Sequence, residues 1–239
     1  MASTSEVGHA KNVANLGSGI QILQEMGSLY NPSNTNIKLV NLLPIKTAID
    51  ASIVALNNKI PIYKNAVANR EIAIAPLGKK STKVLNYSKS INISATDKEN
   101  IAHQVKKIRG DSKEKNINPE TTEATGISTS QMSYDSRIAN LDILINMAAS
   151  HSEYEPNEND IKISNLQTYQ QELTTLSGLV NSAGNELLTA RLNRNNILYF
   201  SENNVVKLMN EVKAYLKSLG QEGLPYYKAF LKLKFKNIN

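Results

Sequence analysis

Residues 3–16 read STSEVGHAKNVANL and residues 128–141 read STSQMSYDSRIANL, with six of 14 aligned positions identical at an offset of 125. A second pair, YNPSNTNIKLVNL at 30–42 and YEPNENDIKISNL at 154–166, shares six of 13 positions at an offset of 124. Unrelated chains of ordinary composition would share roughly 6% of positions. The offset continues downstream, where Ala66, Asn69 and Arg70 answer Ala190, Asn193 and Arg194, and Lys83, Asn86 and Lys89 answer Lys207, Asn210 and Lys213. This internal echo predicts two homologous units in tandem, since two copies are too few for a self-propagating solenoid. The expected boundaries are 1–110 for the first unit, a polar linker at 111–127 (DSKEKNINPETTEATGI) and 128–239 for the second.

Apolar spacing within each copy is helical. In the second, Leu166, Tyr169, Leu173, Leu176, Val180, Ala183, Leu187 and Ala190 advance in alternating steps of three and four, a coiled-coil seam. The first keeps that phase at Leu42, Ile45, Ile49, Leu56, Tyr63 and Ala66 but places Ser52 and Lys59 on the seam, which predicts looser packing. Val13, Leu16, Ile20 and Leu23 answer Ile138, Leu141, Ile145 and Ala148 as the stripes of two opening helices. Pro32 and Pro156 predict that these helices end near residues 29 and 153. Pro61 and Gly184 stand at nearly equivalent places inside the long seams, marking either a turn or a kink. The expectation is a turn, because the resulting shorter segments fit an up-and-down bundle, although the seam runs through undisturbed. Pro76 suits the first turn of a further helix; Thr96 and Glu99 have capping-box spacing before Ile101, Val105 and Ile108, and Gly110 is the stop. No useful strand alternation occurs, and with aromatics at 5% and no tryptophan the core must be aliphatic. The expected fold is all-α, two tandem helical bundles with long heptad-patterned helices.

Little in the chain suggests catalysis. Cysteine is absent, and His9, His103 and His151 lie in separate segments without the i, i+4 spacing of a helical zinc motif, so they are expected in solvated or capping roles. Glu153, Glu155, Glu158 and Asp160 precede a long helix, where its dipole favours acids, and they lack a calcium-loop pattern. The GKKST stretch at 78–82 fails as a phosphate loop, since Ala73 stands where the motif needs its first glycine and no strand precedes it. No nucleophile elbow accompanies the many serines. The two Asn-x-Ser sequons, at Asn86 and Asn92, fall on or beside a helix and carry no expectation. No catalytic, cofactor or metal site is expected.

Charge is more informative. Residues 1–110 hold 14 Lys and Arg against 6 Asp and Glu, a net of +8, whereas residues 111–239 hold 13 against 15, a net of −2. The candidate basic patch is Lys79, Lys80, Lys83 and Lys89 with Lys106, Lys107 and Arg109. Cations at helix carboxyl ends complement the dipole; the functional alternative is a surface for an acidic protein, anionic lipid or nucleic acid. Sparse aromatics argue against nucleic acid. The tail YYKAFLKLKFK joins four lysines to Tyr226, Tyr227, Phe230, Leu231, Leu233 and Phe235; it is expected to dock on its own bundle, with a membrane surface or partner helix as the alternative. The uneven charge also suggests head-to-tail self-association. The start, MASTSEVGHAK, has no basic-then-apolar pattern, and no 18 apolar residues are consecutive, so a cytoplasmic, soluble protein is expected, export without an amino-terminal signal being left open.

The opening MASTSEVGHAKNVANL, its echo STSQMSYDSRIANL and the paired Tyr-x-Pro segments resemble a group of small uncharacterised tandem-repeat all-helical proteins of flavobacteria and related Bacteroidetes. The resemblance spans nearly the whole chain and implies a bacterial origin and a helical fold, but brings no activity or site. The leading expectation is a non-enzymatic structural or interaction scaffold that self-associates through helical faces. A membrane-active, pore-forming-like protein comes second and a basic nucleic-acid-binding module third.

Overall fold

The computed structural model describes residues 4–110 and 133–237. The linker expected at 111–127 lies outside the described residues. Eight α-helices are described: α1 (Thr4–Glu25), α2 (Leu39–Ile74), α3 (Leu77–Ser90), α4 (Ala95–Arg109), α5 (Tyr134–Ala149), α6 (Ile163–Asn195), α7 (Val205–Ser218) and α8 (Gly220–Leu231). No strand occurs among the described residues, so the fold is all-α.

The helix borders show which local signals win. Ser94 caps α4, its hydroxyl accepting from the Asp97 N–H at 3.0 Å and meeting the Asp97 carboxylate at 2.6 Å. The capping pair is therefore Ser94 and Asp97, two residues before the expected Thr96 and Glu99, because Ser94 is the residue that stays extended (φ −61°, ψ 152°). At the other end Gly110 closes α4 as expected, at φ 76° with its N–H on the Lys106 carbonyl. The opening helices stop at Glu25 and Ala149, four residues before the expected ends. Gly27, at φ 55°, takes the chain out of α1, and at α5 the His151 N–H tightens onto the Ala148 carbonyl. The prolines restrict only the residue before them, whereas Tyr30 and Tyr154 need the chain already turned. Each buries its ring and donates its hydroxyl to a carbonyl seven residues on, Ile37 at 2.5 Å and Ile161 at 3.1 Å. Burial raises the pKa of both phenols well above the usual range, further raised by neighbouring phenols and, at Tyr154, by Asp160 and Glu158.

The expected turns at Pro61 and Gly184 are absent. α2 runs through Pro44 and Pro61, and α6 through Gly184. Pro61 leaves the Asn57 carbonyl without its helical donor, and at that exposed position water can take the bond. This continuity redraws the domain borders. One compact unit takes the chain through Ile62 together with Gly184 onwards; the other is Tyr63 to Ala183. The compact units therefore do not follow the 1–110 and 128–239 boundaries, and each draws elements from both halves of the chain.

The first unit holds α1, most of α2, the end of α6, α7 and α8. Its core joins Leu16, Ile20 and Leu23 of α1 and Leu42 and Ile49 of α2 to Val205, Leu208, Met209, Val212 and Leu216 of α7 and Phe230 of α8. Between α6 and α7 a wider π-type turn, Asn196–Phe200, buries the adjacent Leu198 and Tyr199. The second unit packs α3, α4 and α5 with the rest of α2 and the start of α6. Leu77, Val84, Ile101, Val105 and Ile108 meet Ile138, Leu141, Leu144, Ile145, Leu166 and Leu173 there. Along α6, Leu166, Leu173, Val180, Leu187 and Arg194 are covered, one every seven residues. On α2, Leu42, Ile49 and Leu56 are buried, but Ser52, Lys59, Tyr63 and Ala66 are only half-covered.

Candidate functional site

All seven residues of the candidate basic patch lie in the second unit, on α3 and α4. Two of them are engaged within the unit, while Lys79, Lys89, Lys106 and Arg109 are exposed. Lys83 Nζ pairs with Asp160 at 2.6 Å, and Lys80 Nζ stands 5.2 Å from the centre of the Tyr169 ring. The hydrogen bond from Lys83 holds the Asp160 carboxyl below its usual range, with Lys80 adding attraction. Counted by compact unit, residues 63–183 carry 14 Lys and Arg against 14 Asp and Glu, a net of zero, while the remainder carries 13 against 7, a net of +6. The excess of positive charge thus belongs to the unit holding the tail, and the contrast narrows from +8 against −2 between the sequence halves to +6 against zero between the compact units. Because the Asp160 pKa is depressed on folding, its contribution to stability is present above the normal carboxylate range and is lost as pH falls through the lowered value. Lys83→Ala should move that titration back up towards the ordinary aspartate range. A carbon-detected NMR titration of Asp160 checks this; an unshifted midpoint would mean that the ion pair does not form.

The tail is held against its own unit. Phe230 is fully buried, Tyr226 and Tyr227 are partly covered, and Leu233 and Phe235 pack against the same core, leaving Leu231 47% exposed. Past α8, residues 234–237 have no regular secondary structure, and α1 reads their backbone. Asn12 Nδ2 donates to the Lys236 carbonyl at 2.8 Å while the Lys236 N–H donates to Asn12 Oδ1 at 3.1 Å, and Asn15 Nδ2 donates to the Lys234 carbonyl at 2.9 Å. Lys213 of α7 reaches the Leu233 carbonyl at 2.7 Å, and burial lowers its pKa.

Beneath this clasp lies a polar cluster missed in the sequence. His9, 4% exposed, has Nδ1 2.7 Å from the Tyr199 hydroxyl, to which Asn12 also donates at 3.1 Å. His9 is therefore buried, not solvated or capping, whereas His103 is exposed and His151 sits in a loop. A signal did exist: His9 and Asn12 occupy the stripe phase that Leu16, Ile20 and Leu23 continue, so polar groups there had to find buried partners. Beside Tyr199 a shallow cleft of about 520 Å³ opens towards Lys207, Glu211 and Asn237. Lys207 Nζ donates to the Glu202 carbonyl at 3.0 Å, and the Glu211 carboxylate accepts from Asn34 Nδ2 at 3.0 Å. Among the described residues no group of three or more His, Cys, Asp or Glu could hold a metal ion.

The long helices carry a second kind of surface. Val40, Leu43, Val54, Ile62 and Ile72 of α2 and Leu179, Leu188 and Leu192 of α6 are 41–73% exposed. α2 is also long and apolar enough to cross a membrane, with an 18-residue window of mean hydropathy 1.6 that is only 17% buried. The rule of consecutive apolar residues passed over it because Asn41, Lys46 and Asp50 interrupt the run. No family model, no curated protein and no solved structure matches this chain.

Proposed function

We propose that this is a non-enzymatic helical interaction protein that associates with copies of itself, using the uncovered ridge of α6 as its contact surface. The supporting observation is a helix that is apolar on two faces. Leu187 and Ala190 are covered, while Leu188 and Leu192, one turn apart, are 53% and 56% exposed. A helix apolar on both faces calls for a further partner. A second copy fits because the exposed Glu172 and Arg191 cancel along α6 while Glu186 is already paired with Lys59, so two such helices can meet about a two-fold axis without net repulsion. We read the chain as a tandem duplication with heptad-patterned seams, on the strength of the repeated sequence, the matched tyrosine loops and the seven-residue burial interval of α6.

Sedimentation velocity over a concentration series tests the proposal. The wild-type chain should associate, and the assembly should survive about 1 M salt, where the screening length falls to about 3 Å, because apolar contacts drive it. Leu188→Glu with Leu192→Glu should give a monomer with an unchanged circular dichroism spectrum. A wild-type monomer at every concentration rejects self-association, and a double variant that assembles like the wild type rejects this surface.

A further inference from the structure

We propose that residues 39–56, the first half of α2, are the element by which this protein enters an anionic lipid bilayer. The inference is independent of self-association through α6. The segment is LVNLLPIKTAIDASIVAL, the 18-residue window of mean hydropathy 1.6. At 1.5 Å per residue it is about 27 Å long, against a hydrocarbon core of about 30 Å. An apolar core helix of a water-soluble bundle is mostly covered, but here only Leu42, Ile49 and Leu56 are buried. Val40, Leu43 and Val54 already face outward, so three buried side chains on one row are the principal hold that insertion must release.

The charges favour a bilayer over a second α2. Lys46 and Asp50 are the window's only ionic residues, and they are bonded to each other one helical turn apart. A pair that cancels within its own helix enters hydrocarbon at far lower cost than two isolated ions. Outside the window the nearest charges are cationic: Lys38 before it and Lys64 after it stand where ammonium groups reach lipid phosphates, and Lys59 can join them on leaving its ion pair with Glu186 at 2.6 Å. As a whole α2 carries Lys46, Lys59, Lys64 and Arg70 against Asp50 and Glu71, so two copies side by side would repel, while an anionic surface attracts. The unit containing this segment also holds the chain's +6 excess.

Because the chain has no tryptophan, Val54→Trp in the full-length protein gives a single fluorescent reporter at an exposed position. With vesicles of phosphatidylcholine and phosphatidylglycerol its emission should shift to shorter wavelength, lose its quenching by iodide and become quenched by brominated acyl chains. Ile143→Trp on α5 should remain open to iodide. Ala48→Lys, an exposed position near the middle of the window, adds positive charge yet should weaken partitioning roughly 100-fold, since a lysine at the centre of a membrane helix costs about 2.5–3.5 kcal/mol. Val54→Trp emission that is unaffected by acyl-chain quenchers at saturating anionic lipid overturns the proposal. So does Ala48→Lys binding as well as the wild type, which would mean surface adsorption through lysines, and so does a blue shift that tracks protein concentration without lipid, which would mean that another copy covers the face.

Discussion

Phe230→Ala should cost about 3–5 kcal/mol of unfolding free energy, the range for deleting a buried phenylalanine side chain from a core that cannot collapse into the space. The ring is fully buried in the first unit and presses on α1 where that helix has no side chain: a Cβ built at Gly19 would stand 3.1 Å from Phe230 Cε2. Phe235 stacks on it at 6.5 Å between centroids. Removing the ring therefore empties a slot walled by helix backbone, which moves little, and also withdraws the apolar support of the extended tail. Urea unfolding followed by circular dichroism measures the loss, and hydrogen exchange at Leu233 and Lys236 should quicken with it. Leu231→Ala, one residue on and 47% exposed, is the matched control and should stay within about 0.5 kcal/mol. Equal effects from the two substitutions would place the tail off the bundle.

Leu173→Ala should destabilise the second unit by about 2–5 kcal/mol. Leu173 is fully buried on α6 beside Leu166, in the core that α4 and α5 complete. Its spread of possible cost reflects how far the neighbours can close the void, and Tyr169, one turn before it, limits that here because its hydroxyl is tied to the Ala73 carbonyl at 2.7 Å. Leu179, six residues along the same helix and 53% exposed, gives the contrast: alanine there should change the midpoint hardly at all. Thermal unfolding of both variants checks the pair. A midpoint untouched by Leu173→Ala would mean that the seven-residue row on α6 faces water.

The chain's helical class was legible from local pattern alone, because a side chain's place on a helix follows from spacing of 3.6 residues and needs no knowledge of the partner. Leu16, Ile20 and Leu23, Ile101, Val105 and Ile108, and Leu166, Leu173, Val180 and Leu187 of α6 were readable in this way, whereas Tyr169 and Leu176 of the same seam are only half-covered; the left-handed stop at Gly110, a property of one residue's backbone, was readable too. Whether Pro61 and Gly184 end a helix was not readable. A proline or glycine in the interior carries a cost of about 1 to 3 kcal/mol, and packing on either side decides whether the helix bears it. Once both long helices run through, the first part of α2 shares a core with α7 and α8, and its last turns share one with α3, α4 and α5. The same redistribution decided the charge: Asp160 of the second half of the chain sits on Lys83 of the first half, so a +8 half and a −2 half become compact units of +6 and zero. Sequence fixes how many charges there are and which faces are apolar, since both are sums over neighbours along the chain. Which charges neutralise one another, and which apolar rows on α2 and α6 remain uncovered, depend on contacts between distant segments, and those only the tertiary structure supplies.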